Sequence, residues 1–155
     1  MMSNSAVSTQ STVRLSAWAD VANNVGALVY LVVNGVRVGE PQYVNVGRWS
    51  GQPAQNLTFT FDTPAKVDSL AIEFANDMTD GGNRAVYIKD LSVNDVALNT
   101  ADAALVTPWG TSKGTSSMWF NSTLSFDTTN RQDIFNPTAP SGVVKNGTDA
   151  AESLS

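Results

Sequence analysis

Four oxygen-bearing side chains crowd into one short loop of the sequence. Asn76, Asp77, Asp80 and Asn83 surround the glycine pair Gly81–Gly82, between two hydrophobic segments. Glycines let the backbone turn tightly enough for several oxygens to converge on one point. Because calcium prefers carboxylate, amide and carbonyl oxygens, the spacing predicts that a metal bound here would be oxygen-liganded, with Ca²⁺ as the candidate.

The spacing also allows a simpler interpretation of this loop. It is not an EF-hand, because the twelfth residue counted from Asp77 is Ile88 rather than a bidentate glutamate. The Asp and Asn side chains could instead accept hydrogen bonds from nearby backbone N–H groups, as in Asx turns of a polar hairpin loop. Spacing alone leaves both interpretations open.

The absence of two residue types narrows the chemistry further. The chain has no histidine and no cysteine, which excludes Ser–His and Cys–His nucleophilic catalysis. A carboxylate pair could still hydrolyse glycosides, and the candidates are Glu73, Asp77, Asp80 and Asp90. Glu73, however, alternates with apolar neighbours and should face water. We therefore predict that the protein is not an enzyme.

The loop and its surroundings must be positioned by strands, because apolar residues alternate with polar ones along much of the chain. This period-two pattern predicts strands with one buried face, as in Val13/Leu15/Ala17, Leu57/Phe59/Phe61 and Leu70/Ile72/Phe74. Gly26–Val33 is apolar on both faces and predicts a central strand. It ends at Asn34–Gly35, a strong hairpin signal, and Val36–Val38 returns.

Further strands are expected at Tyr43–Val46, Val86–Val93 and Met118–Phe126. The fold class predicted is all-β, an antiparallel, jelly-roll-like β-sandwich. It would occupy residues 11–127, with a polar N-terminal tail at 1–10 and a C-terminal tail or linker at 128–155.

Charge and composition bear on partners and location. The net charge is −5 and the basic residues are scattered, which argues against nucleic acid as a partner. No segment has the roughly 20 consecutive apolar residues that span a bilayer. Only 15% of residues are charged, and the many Ser, Thr and Asn residues favour a secreted, extracellular protein.

Two tryptophans lie in predicted loops. Trp49 in Gly47–Gly51 and Trp109 in Thr107–Gly110 sit among small polar residues. An exposed indole offers an apolar face on which a pyranose ring can pack. The alternative is that each tryptophan plugs an end of the sandwich. Trp119 lies inside the predicted strand Met118–Phe126, so we expect a structural role for it.

Three regions, in this order along the chain, resemble a known family. They are the hairpin Leu28–Gly39, the loop motif Phe74–Asp77 with Asn83–Arg84, Val86–Ile88 and Leu91–Asn94, and the final strand Met118–Phe126. Together they resemble the calcium-dependent, xylan-binding carbohydrate-binding modules of families 36 and 60. The resemblance covers about Thr12–Asp127.

The resemblance implies a β-sandwich in which loop-bound calcium contacts sugar hydroxyls directly. On this basis Asp77 and Asn83 would supply side-chain oxygens, with Asp80 and loop carbonyls completing the shell. The implied partner is a polysaccharide, xylan-like or a bacterial surface glycan. Asn76 is a further candidate metal ligand, and the candidate ligand-binding residues are Trp49, Trp109, Tyr87 and Arg84.

Two positions depart from the family pattern. Asn83 stands where the family has aspartate before arginine, and Lys89 stands at an acidic position of the following strand. Each change removes negative charge near the loop, so we expect weaker calcium binding than in other extracellular modules, whose dissociation constants are about 10⁻⁴–10⁻³ M.

A second function belongs to another class. The chain could be a self-assembling structural subunit of an extracellular filament or matrix, with calcium at contacts between copies. The Thr-, Ser- and Val-rich segment Ser8–Leu15 could then add a strand to a neighbour's sheet edge.

Overall fold

A computed structural model describes residues 10–77 and 83–135 of the chain. The predictions for Asp80, for residues 1–9 and for residues 136–155 therefore lie outside the described part. The described strands are β1 (Gln10–Asp20), β2 (Ala27–Val33), β3 (Val36–Val44), β4 (Gln55–Asp62), β5 (Ser69–Phe74), β6 (Ala85–Val93), β7 (Val96–Leu98), β8 (Ala104–Thr107), β9 (Gly110–Lys113), β10 (Ser117–Met118) and β11 (Ser122–Asp127). Short 3₁₀ turns occupy Thr100–Asp102 and Gln132–Ile134.

The strands form two antiparallel sheets. One sheet has the order β10-β6-β1-β4, and β7 pairs with the far end of β6. The other has the order β3-β2-β5-β11-β8-β9. Side chains from both sheets enclose one apolar core, as in a β-sandwich. The predicted fold class is confirmed.

Alternation along the strands explains which residues form this core. Val13, Leu15 and Ala17 of β1 are each at most 1% exposed, whereas the intervening residues contact solvent. A one-residue slip would turn this apolar set outward, so burial fixes the register of β1 between its neighbours β4 and β6. That register places Asp20, at the end of β1, opposite Ala85 at the start of β6.

The predicted hairpin at Asn34–Gly35 is present. Both residues have positive φ, +52° and +79°, as a tight two-residue turn between twisted strands requires. The prediction of a separate strand at Tyr43–Val46 is wrong. Tyr43 and Val44 are the last residues of β3, because pairing with β2 resumes after an irregularity around Gly39–Pro41.

The continuous strand predicted at Met118–Phe126 is also wrong. β10 pairs with β6 in one sheet, whereas β11 pairs with β5 and β8 in the other. The chain therefore crosses between the sheets at Trp119–Asn121. Alternation cannot reveal such a crossing, because the pattern continues while the pairing partner changes.

The structure does not support the filament alternative. From Val13 to Ala17, β1 pairs with β4 on one side and with β6 on the other. A strand that is hydrogen-bonded along both edges has no free edge to offer to another subunit.

Residues beyond the predicted end of the sandwich domain pack against it. Ile134 and Phe135 are 2% and 1% exposed and belong to the core. Ser11 Oγ donates a hydrogen bond of 2.8 Å to the Phe135 carbonyl, and Asn94 Nδ2 donates one to the Ile134 carbonyl.

Over the described ranges, no helix is long and apolar enough to cross a membrane.

Candidate functional site

The loop that carries the predicted metal ligands connects β5 to β6. Asp77 is the last described residue on the β5 side and is partly exposed. Its backbone N–H donates a hydrogen bond of 2.8 Å to Oδ1 of Asn121. Asn83, on the β6 side, is exposed. The crossing segment Trp119–Asn121 thus holds one flank of the loop, a role for Asn121 that sequence reasoning missed.

Asn76 lies on the same flank and its side chain aligns two strands. Oδ1 accepts a hydrogen bond of 2.7 Å from the Leu28 N–H, and Nδ2 donates to the Gly26 carbonyl at 3.0 Å. The side chain therefore satisfies backbone groups at the beginning of β2, as the polar-loop interpretation expects of an asparagine here.

Arg84 joins the two flanks of the loop. Its side chain is 7% exposed, and its guanidinium donates to three carbonyls, those of Val25 at 2.9 Å, Asn76 at 2.6 Å and Ala22 at 2.9 Å. A planar group with five donors suits such a task. Arg84 thereby fixes the position of Asn76 and of the Ala22–Val25 turn.

Beside Asn83 and Arg84 lies a cavity of about 290 Å³, here named the polar hollow. Its lining residues come from the ends of β1 and β6, from the turn after β3 and from the crossing segment. They are Asp20, Arg48, Asn83, Arg84, Ala85, Tyr87, Trp119 and Phe120. Of the predicted site residues, the structure therefore brings together Asn83, Arg84 and Tyr87.

Tyr87 and Asp20, which both line the polar hollow, are hydrogen-bonded to each other. The Tyr87 hydroxyl donates a hydrogen bond of 2.6 Å to Oδ2 of Asp20. Burial raises the pKa of the Tyr87 hydroxyl, and the bond to Asp20 raises that pKa further because it holds the proton. Asp20 was not singled out from the sequence, since only the pairing of β1 with β6 brings it to Tyr87.

Arg48 connects the polar hollow to Trp49. Its guanidinium lies over the Tyr87 ring at 3.8 Å and over the Trp49 ring at 4.4 Å. Two backbone hydrogen bonds attach its turn to β1, from Ala19 N–H to the Val46 carbonyl and from Arg48 N–H to the Ala19 carbonyl. Trp49 itself is 81% exposed, so it does not plug the sandwich. The adjacent Trp49 was the signal in the sequence that could have found Arg48.

A second cavity, of about 380 Å³ and here named the apolar hollow, lies on the other side of Trp119 and Phe120. Trp109 lines this cavity and not the polar hollow. The Trp109 ring meets the Phe120 ring edge to face, with 4.9 Å between centroids and 73° between planes. Trp109 is 74% exposed and Trp119 58%. Trp119 does not lie within a strand, as the sequence predicted, but in the crossing segment; its structural role stays a prediction.

In residues 10–77 and 83–135, no three or more acidic side chains cluster in a way that could hold a metal. Lys89, at one of the positions that depart from the family, lies over the Trp18 ring at 5.8 Å on the outer face of its sheet.

Comparisons with known proteins agree with this architecture. The sequence model of carbohydrate-binding module family 60, described as calcium-dependent and xylan-binding, matches residues 12–107. A solved structure, the selenomethionine form of vCBM60, is similar in fold, with a TM-score of 0.56 and 20% identity over 76% of this chain and 90% of that one. It is described in connection with circular permutation between two families of calcium-dependent carbohydrate-binding modules. No curated protein matches the chain significantly.

The family match extends over more than half of the chain and contains the loop, Tyr87 and the Arg48 turn. The chain therefore belongs to carbohydrate-binding module family 60, the calcium-dependent, xylan-binding modules.

Proposed function

We propose that this protein is a non-catalytic, extracellular module that binds a xylan-like polysaccharide through calcium in the 77–83 loop and through the adjoining polar hollow. The observation that carries the proposal is that Asn83, at the end of the loop, also lines the polar hollow. A sugar bound in the hollow would therefore lie beside a metal in the loop.

The donors at the loop fit calcium in kind. Asp77 offers a carboxylate and Asn83 an amide oxygen, and both are at least partly exposed. Asn76 is a poorer ligand, because its side-chain oxygen already accepts a hydrogen bond from Leu28. We propose that Asp77, Asn83 and Asp80 hold the metal with loop carbonyls, as in the family resemblance. Calcium bound there would supply a positive charge to which sugar hydroxyl oxygens can bind.

The residues of the polar hollow complement the hydroxyls of a sugar. The Asp20 carboxylate accepts hydrogen bonds, and the Arg48 guanidinium donates them. Tyr87 orients Asp20, and the Arg48 guanidinium is held between two aromatic rings. Such a preorganised pair loses little side-chain freedom when a ligand binds.

Trp49 supplies an apolar surface beside Arg48, which lines this hollow. Arg48 covers part of its ring, yet most of the side chain is open to solvent. We propose that the pyranose packs on Trp49 while its hydroxyls face Asp20 and Arg48. Arg84 takes part by fixing the loop, since its guanidinium already holds three carbonyls.

A calorimetric titration tests this proposal. Calcium is titrated into chelator-treated protein, and xylohexaose is then titrated with and without calcium. We expect sugar binding only with calcium, and we expect Asp77→Ala to abolish it. Asp62→Ala is the matched control, because Asp62 is an exposed carboxylate paired with Gln10 at the opposite end of β1 from Asp20. Sugar binding that persists in chelator, or no sugar binding in saturating calcium, would refute the proposal.

A further inference from the structure

We infer that the apolar hollow is a second sugar subsite, which receives another pyranose of the same polysaccharide chain. The chain would cross the ridge formed by Trp119 and Phe120, with one unit in the polar hollow and another in the apolar hollow. This inference rests on the proposed function, and it adds that the protein distinguishes long chains from short ones.

The apolar hollow has the size and surface that a sugar ring needs. Its volume of about 380 Å³ lies in the range of small-molecule sites, roughly 300–1,000 Å³. Trp109, Trp119 and Phe120 present aromatic surface to it, and all three are at least 45% exposed. Aromatic rings bury large apolar areas without losing many rotamers, so they suit the C–H face of a pyranose.

Two of the hydroxyls that line this hollow are hydrogen-bonded to the protein backbone. Thr107 Oγ1 donates to the Gly110 carbonyl at 3.0 Å and accepts from the Trp109 N–H. Ser122 Oγ donates to the Phe120 carbonyl at 2.7 Å. None of the described lining residues is charged. An ionic ligand would therefore lose its hydration without gaining a counter-charge. The C–H face of a sugar carries no charge, so it would not incur this cost.

The two hollows adjoin at the ridge, because Trp119 and Phe120 line both. The next residue, Asn121, accepts the hydrogen bond from Asp77 at the metal loop. A glycan held at the loop and in the polar hollow would thus continue directly over Trp119. This adjacency favours a sugar of the same chain over an unrelated partner as the occupant.

The apolar hollow also lies largely outside the family match. The match ends at residue 107, whereas Trp109, Thr115, Ser117, Trp119, Phe120 and Ser122 follow it. Trp119, Phe120 and Ser122 belong to the final strand that resembles the family, whereas Trp109 and Thr115 are in none of the three regions that carry the resemblance.

Affinity measured against chain length tests the inference. Xylobiose, xylotetraose and xylohexaose are titrated in saturating calcium into the wild type, Trp109→Ala and Trp49→Ala. We expect the wild type to bind xylohexaose about tenfold more tightly than xylobiose, since a second ring buries apolar surface. In Trp109→Ala, the ratio of xylohexaose affinity to xylobiose affinity should be close to one. Trp49→Ala should weaken the binding of all three sugars and leave this ratio unchanged.

A second variant fills the cavity instead of removing a wall. Thr115→Phe places a ring in the apolar hollow and should also abolish the length dependence. Circular dichroism verifies that each variant is folded, and the calcium concentration at half-saturation verifies that its calcium binding is unchanged. Light scattering measures the mass of each variant.

Three outcomes would overturn the inference alone. The first is a wild-type affinity that does not depend on the length of the sugar, and the second is a ratio of xylohexaose to xylobiose affinity that is unchanged in Trp109→Ala. The third is a wild-type dimer that both Trp109→Ala and Thr115→Phe dissociate. The last would assign the surface to a second copy of the chain. Failure of the wild type to bind any of the sugars would overturn the proposed function as well.

Discussion

The polar and apolar hollows share the Trp119–Phe120 ridge and differ in almost everything else. In the polar hollow, Asp20 and Tyr87 lie on β1 and β6, so the pairing of these strands fixes their positions relative to each other. The apolar hollow is built by the β8–β9 hairpin and the crossing segment, and it presents rings and backbone-bonded hydroxyls. The hydrogen-bonded pair Asp20 and Tyr87 thus lies on paired strands, whereas the rings of the apolar hollow lie on a turn and on the crossing segment.

This difference suggests how the two hollows would divide the recognition of a glycan. Hydrogen bonds in the polar hollow depend on the orientation of individual hydroxyls, so they would select the sugar. Packing in the apolar hollow depends on area, so it would add affinity with little selectivity. Variants that affect one side of the ridge can separate these contributions.

The largest effect is expected from Arg84→Met. The change removes a charged donor from three carbonyls, and each such hydrogen bond contributes about 1.5–3 kcal/mol net. The total loss should be smaller than their sum, because the Ala22 and Val25 carbonyls keep their backbone N–H donors. We expect unfolding free energy to fall by about 2–4 kcal/mol in urea titrations. Near-ultraviolet circular dichroism should show disorder around Tyr87 but not around Trp109.

Arg84→Lys is the matched control, because an ammonium keeps the charge but cannot reach three carbonyls in a plane. It should fall between the wild type and Arg84→Met. Equal stability of all three proteins would mean that water replaces the guanidinium without cost.

A smaller effect is expected from Asn83→Asp, which returns a negative charge to the loop. Calcium affinity depends on the number of charged ligands, so we expect the calcium dissociation constant to fall about tenfold. Calorimetry in low salt measures the change. The ratio of xylohexaose to xylobiose affinity should not move, since the apolar hollow is untouched; an unchanged calcium affinity would remove Asn83 from the metal shell.

The smallest effect is expected from Tyr87→Phe, which deletes the hydroxyl bonded to Asp20. Loss of this bond should lower stability by about 1 kcal/mol at neutral pH. Because the folded-state pKa of Tyr87 is raised, its contribution is complete below the unfolded-state value near 10 and is lost as pH rises through the folded-state value.

Urea titrations between pH 8 and pH 11.5 measure this contribution. The stability of the wild type should fall more steeply above pH 10 than that of Tyr87→Phe. Parallel curves for the two proteins would show that the Tyr87 hydroxyl is no better held in the folded chain than in the unfolded one.

Local patterns were sufficient to predict most of the sandwich. The alternation in β1 and β4 and the Asn34–Gly35 turn each depend on neighbouring residues alone. The crossing at Trp119–Asn121 depends on which strand lies next to each half of the segment, and no local pattern records that. Sheet exchange is therefore where the sequence-based prediction failed.

The candidate site could be predicted only in part. Residue type and spacing pointed to the loop and to two tryptophans that the structure leaves exposed, and the family resemblance pointed to the segment that contains Tyr87. Asp20, Arg48 and Asn121 could not, because each is brought to the site by pairing across at least 35 residues of sequence. Asn76 has the residue type of a metal ligand, yet its side chain aligns β2 with β5. Residue type alone cannot distinguish these two roles of an asparagine.

The bond between Ser11 and the Phe135 carbonyl brings together the two ends of the described domain. Ser11 and Asp20 are nine residues apart on β1, and an extended strand of that length covers about 30 Å. Both ends therefore lie at the pole of the sandwich remote from the polar hollow. A carrier fused at either end, or a bead coupled there, would leave the opposite pole open to a glycan. A short peptide joining the two ends would permit new termini elsewhere without crossing either hollow.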